Sequence, residues 1–90
     1  MPELRLTRQA KRQLEALPDA VRGAVLKTLA LLQLEPEAMG KRLVGRMQGL
    51  WAARAGSYRV LYTIEATGVI VRSIRHRGVV YRSRRRRRRR

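Results

Sequence analysis

Seven residues near the C-terminal end of this 90-residue chain, Arg75-His76-Arg77-Gly78-Val79-Val80-Tyr81, gather two guanidinium groups, an imidazole and a phenol. That set suits RNA transesterification, in which a 2'-hydroxyl attacks the neighbouring phosphorus and fixed cations meet the negative charge that develops. The reaction also needs an acid and a base. An imidazole titrates near neutrality, so His76 is a natural candidate, and Tyr81 offers either a second proton-transfer group or a ring to stack on a base. Each also has a plainer place, His76 as a solvated loop residue between two arginines and Tyr81 as a core or rim aromatic.

A third cation comes from a strand. Within residues 58–64, alternation puts Tyr58, Val60, Tyr62 and Ile64 on one face and Arg59, Leu61 and Thr63 on the other. An arginine on a central strand is held by its scaffold, and its planar fork can bind a phosphate bidentately. The alternative is a solvated arginine on an exposed sheet face. Arg54, Arg75, Lys41, Arg42 and Arg46 are further candidates for phosphate contacts. Trp51, the only tryptophan, reads as core packing before base stacking.

Other chemistries are missing. With no cysteine and one histidine, a thiolate site, a cysteine nucleophile and a tight zinc or iron site are all disfavoured. HExxH, P-loop, GxGxxG and GxSxG patterns do not occur, nor do paired carboxylates in the basic half. Neither metal nor cofactor is expected.

The formal charge is +16, and Arg82 with the run Arg84 to Arg90 supplies eight of the 22 basic residues. The remaining 14 basic and six acidic residues leave +8 on residues 1–81. Five of the acidic residues precede position 38, whereas residues 38–81 carry eight cations against Glu65 alone. A field of one sign over half a domain steers polyanions and binds phosphate in a salt-dependent way. A membrane surface is disfavoured, because the basic half holds no amphipathic helix. The charged N-terminus and an apolar run no longer than Leu29 to Leu32 argue against a signal peptide or membrane span, so a cytoplasmic protein is expected.

The elements that must position these side chains are legible. Leu4 to Leu6 alternates like a short strand, and Thr7 supplies an N-cap for a helix from Arg8 whose apolar stripe is Ala10, Leu14 and Leu17. Pro18 ends it, and Val21, Ala24, Val25, Thr28, Leu29 and Leu32 mark a second helix over residues 19–34 that Glu35-Pro36 stops. Beyond Gly40 the period becomes 2, with candidate strands at 43–46, 50–54, 58–64 and 69–74. Reversals fall at Ala55-Gly56-Ser57 and Glu65-Ala66-Thr67-Gly68. The expected fold is α+β: an N-terminal strand filling a sheet edge, a helical hairpin, then an antiparallel β-meander packed on the helices, in the order β-α-α-β-β-β. One domain covers residues 1–82, and residues 83–90 form a self-repelling, disordered poly-arginine tail.

The segments Leu17-Pro18-Asp19-Ala20-Val21-Arg22, Gly40 to Leu43, Gly49-Leu50-Trp51, Gly56-Ser57-Tyr58-Arg59-Val60-Leu61-Tyr62 and His76-Arg77 with Tyr81 resemble the RelE/ParE superfamily of bacterial toxins, on the RelE side. The resemblance implies a ribosome-dependent endoribonuclease, an mRNA interferase that cleaves mRNA in the ribosomal A site. It also implies a cognate RelB-like antitoxin in a toxin–antitoxin hetero-oligomer. By the same likeness Arg59 contacts the scissile phosphate, Arg77 stabilises the transition state, Tyr81 is the C-terminal tyrosine of the site, and His76 sits where many relatives have histidine. One departure stands out: a pair of lysines in the best-known member falls at Leu50 and Ala52, with Arg54 two positions on to restore part of the charge. ParE-like relatives share the fold but poison gyrase without cutting RNA, and a plain RNA-binding module is a third reading. Arg59, Arg77 and Tyr81 together favour the nuclease.

Overall fold

A computed structural model describes residues 2–44 and 49–76 of the chain. Arg46, Arg77, Tyr81 and the expected arginine tail lie outside the described residues.

Strand β1 (Glu3–Leu6) leads into helix α1 (Arg8–Glu15) through Thr7, which does two things at once. Its hydroxyl oxygen accepts from the Ala10 N–H at 3.1 Å, capping the helix as its position suggested, and its O–H donates to the Arg72 carbonyl at 3.0 Å. Helix α2 runs Asp19–Leu34 behind Pro18, and its buried positions Val25, Thr28, Leu29 and Leu32 follow the expected three-and-four spacing. Ala24, placed on that stripe from sequence, is exposed on its flank. Glu35-Pro36 does not simply stop the chain. Pro36 opens a short helix α3 (Pro36–Met39), where its missing N–H costs nothing.

Four strands follow, β2 (Lys41–Arg42), β3 (Trp51–Ala55), β4 (Tyr58–Glu65) and β5 (Gly68–His76), in a five-stranded sheet of order β1-β5-β4-β3-β2. Of the strand expected at 43–46, residues 45 and 46 lie outside the described residues; residues 43 and 44 are not in a strand, and the strand found here is the two-residue Lys41–Arg42. Gly40 explains the shift: a Cβ there would collide with the Tyr62 hydroxyl and lie 2.8 Å from the Ala52 carbonyl, so its bareness lets the chain reach β3 at once. β2 to β5 form the expected antiparallel meander, and β1 fills the edge beyond β5, pairing with it in parallel.

All three helices' apolar faces meet one side of the sheet, where Val25, Leu29 and Leu32 pack with Val60, Tyr62 and Val71. Tyr62 is the largest wholly buried side chain; its O–H donates to the Pro36 carbonyl at 2.6 Å, and burial pushes its phenol up to about 12. Trp51 stacks beside it at 6.3 Å between ring centroids, in the packing role expected.

Strand β5 does not alternate simply. Leu61 pairs with Ser73 but Tyr62 pairs with Val71, so Arg72 is an extra residue. Before this bulge Val69 and Val71 face the helices; after it Ile74 does. The bulge thereby sends Arg75 to the side away from the helices.

Candidate nucleic-acid interface

That outer side carries the site. Arg54 on β3 pairs with Arg59 on β4, and Arg59 pairs with Arg75 on β5, so three arginines stand in one row across the sheet. Directly opposed residues share a face, with Cβ atoms about 4.5–5.5 Å apart. Arg54 is exposed, while Arg59 and Arg75 are half-buried. Facing like charges oppose folding, and among the described residues no carboxylate forms an ion pair with any of the three. Arg22 and Arg72 hold the two ion pairs found there, with Asp19 and Glu65. Among the described residues, the Nε of Arg75 is buried without a hydrogen-bond partner. An anion with several acceptor oxygens on this face would offset the charge of the row.

Lys41 joins the row's face through its pairing with Ala52, which shares a side with Arg54. Arg42, its neighbour, pairs with Trp51 and points the other way, its guanidinium 5.9 Å from the centre of the indole ring. His76 is also on the helix side of the sheet, paired with Tyr58 and edge-on to its ring at 5.3 Å. Sequence reasoning grouped Arg75 and His76 as neighbours. The strand brings Arg75 to the arginine row and turns His76 to the other face of the same sheet end.

A cleft of about 490 Å³ opens beside the row. Lys41, Arg54 and Arg59 supply its charged lining, and Ala52, Met39 and Leu43 much of the rest. Met39 and Leu43 drew no notice in the sequence, although a glycine followed by Lys41 marks where the chain turns into this wall. Among the described residues no cluster of His, Asp and Glu is placed to hold a metal ion. Nor is any helix there long and apolar enough to cross a membrane.

What the row can do is hold a phosphodiester with fixed, forked donors and meet extra negative charge at phosphorus. Ala52 lies between Lys41 and Leu61 in register, so the face lacks the cation that the RelE resemblance would put there, and Lys41 stands one strand away.

Comparison with known proteins agrees with this architecture. Residues 4–81 match the family model for the ParE toxin of the type II toxin–antitoxin system parDE. The chain is 38% identical over 82 residues to Toxin RelG of Mycobacterium tuberculosis, covering 88% of this chain and 94% of that protein. The toxin–antitoxin complex RelBE2 from the same organism superposes with a TM-score of 0.78 at 36% identity, over 86% of this chain and all (100%) of the matched one. An archaeal RelE–RelB complex from Pyrococcus horikoshii gives 0.71 at 26% identity, over 87% and 97%. With its fold and these relatives, the chain belongs to the RelE/ParE superfamily of type II toxin–antitoxin toxins.

Proposed function

We propose that this toxin is a ribosome-dependent mRNA endonuclease that cleaves in the A site without a cofactor: a 2'-hydroxyl gives up its proton and attacks the adjacent phosphorus, the P–O5' bond breaks, and the departing 5'-oxygen takes a proton, leaving a 2',3'-cyclic phosphate. The observation that carries the reading is the row of Arg54, Arg59 and Arg75, unpaired among the described residues and set on the sheet face away from the helices. Arg59, central and half-buried, is the best-held of the three and takes the scissile phosphate. Arg54 and Arg75 flank it, and Lys41 reaches a neighbouring phosphate. By the RelE likeness, Arg77 is the transition-state cation and Tyr81 a proton-transfer group, both outside the described residues, with His76 at the end of β5 as the other proton-transfer candidate. A RelB-like antitoxin covers the cationic face in the resting complex, a proposal supported by relatives solved as RelB–RelE complexes.

A gyrase-inhibiting role of the ParE type is the second reading, favoured by the family model itself. One experiment separates the two. Purified toxin is added to a translation reaction and mRNA 5' ends are mapped, with free RNA and gyrase supercoiling assayed in parallel. Cuts confined to the A site support the nuclease; intact mRNA with blocked supercoiling refutes it. Arg77→Ala should abolish cutting while antitoxin binding persists.

A further inference from the structure

Phosphate contacts hold an RNA in place but do not by themselves read it. The cleft beside the arginine row has a composition that phosphate alone does not explain. Its cations, Lys41, Arg54 and Arg59, accompany a lining of Ala52, Met39 and Leu43. Its volume of about 490 Å³ is far larger than one phosphate requires. Protein sites for small organic ligands span roughly 300–1,000 Å³. A ligand fitting such a place has an anionic end and a larger, weakly polar end, joined at short range.

We propose that this cleft is a nucleotide subsite: Arg54 and Arg59 grip the phosphate, and the attached base lies against Ala52 and Met39. The assignment rests on the RNA reading above and adds a base pocket to it. Guanidinium planes are stacking surfaces for unpaired bases as well as donors to phosphate, so Arg54 and Arg59 can serve both ends of the nucleotide. Ala52 is what leaves the room. It sits between Lys41 and Leu61 in register on the row's face, and a long side chain there would project into the space the base needs. The opposite wall is fixed, because Gly40 packs directly on Tyr62 and the Ala52 carbonyl. The cleft is therefore shaped before the nucleotide arrives, which lowers the ordering cost of binding. An acidic peptide would satisfy the cations equally well but has no reason to prefer a flat aromatic group, so the base is the discriminating part.

The test compares adenosine 5'-monophosphate with ribose 5-phosphate, which carries the same phosphate and sugar without a base. Binding to the full-length toxin is measured by calorimetry at fixed low salt, for wild type, Ala52→Leu and Ala52→Ser. The wild-type protein should bind the nucleotide about 10-fold more tightly, consistent with the stacking contribution of a single base. Ala52→Leu should remove that preference while changing ribose 5-phosphate affinity by less than about twofold, and Ala52→Ser should keep it. Equal affinity of wild type for both ligands overturns the base pocket, and this comparison decides the matter even if Ala52→Leu fails to fold. A preference that survives in a folded Ala52→Leu protein also overturns it. If neither ligand binds, the phosphate-binding row fails with it, whereas ribose 5-phosphate binding without preference leaves the row intact and removes only the pocket.

Discussion

The arginine row makes an unusual demand on stability, and removing its middle member tests it. Arg59 faces Arg54 on one side and Arg75 on the other. Like charges directly opposed across strands cost about 0.2–1 kcal/mol per pair, so two such pairs place about 0.4–2 kcal/mol against folding. Arg59→Met keeps an unbranched stem over the sheet while deleting the charge. We expect the variant to unfold at a higher temperature at low salt, by about 4–8 °C for each kcal/mol gained in a domain this small. At about 1 M salt, where the screening length falls to about 3 Å, the gain should nearly vanish. Activity should move oppositely. Loss of one fixed donor to a developing oxyanion costs about 10²–10³ in rate, and mRNA cutting in the translation assay should fall on that scale. Thermal unfolding followed by circular dichroism at two salt concentrations is sufficient. A variant less stable than wild type at low salt, or a gain indifferent to salt, would mean that the row is not electrostatically frustrated, and the argument for an anion at that place would fall.

Two further substitutions probe the scaffold behind the row. Gly40→Ala puts a methyl group into the Tyr62 hydroxyl and near the Ala52 carbonyl, and should cost about 1–3 kcal/mol in urea unfolding, with the cleft wall displaced. An unchanged urea midpoint would show that α3 can move aside freely. Tyr62→Phe leaves the Pro36 carbonyl without its donor and should cost about 1–3 kcal/mol at neutral pH. Because burial raises the Tyr62 phenol to about 12 from 10.0, its folded form holds the proton more tightly than the unfolded chain does. That contribution is complete below pH 10 and lost as the pH climbs toward 12, so wild type should lose stability across this window and the Phe variant should lack that component of the slope. Parallel slopes for the two proteins would show that Tyr62 ionises no differently on folding.

Much of this arrangement is readable from local signals. Thr7 before an apolar stripe, Pro18 between two helices and the outward place of Arg59 in an alternating strand each depend on residues within a few positions, and each is found where expected. Apart from Ala24 and the unexpected α3, the failures are matters of long-range register. Residues 43 and 44 look no worse as part of a strand than residues 41 and 42; the choice depends on where Gly40 can pack against Tyr62 and Ala52. Arg42 and Lys41 are indistinguishable as neighbouring cations until their partners, Trp51 and Ala52, assign them to opposite faces. His76 and Arg75 divide in the same way. One clue was present and went unused. The apolar positions Val69, Val71 and Ile74 break a period of two by one residue, which is how a bulge is written in sequence.

That irregularity has a meaning for how such a chain can change over time. Up to Arg72, odd positions of β5 are interior and even ones exterior; afterwards the parity is reversed. Each half of the strand therefore has its own set of interior positions held by fit against the helices, Val69 and Val71 in the first and Ile74 in the second. Changes of residue type at the exterior positions are cheap for that core. Changes of length are not. Loss of a single residue at the bulge would exchange inside for outside downstream, driving the Arg75 guanidinium toward the helices and Ile74 into water, and would remove the ligand site and part of the core in one step.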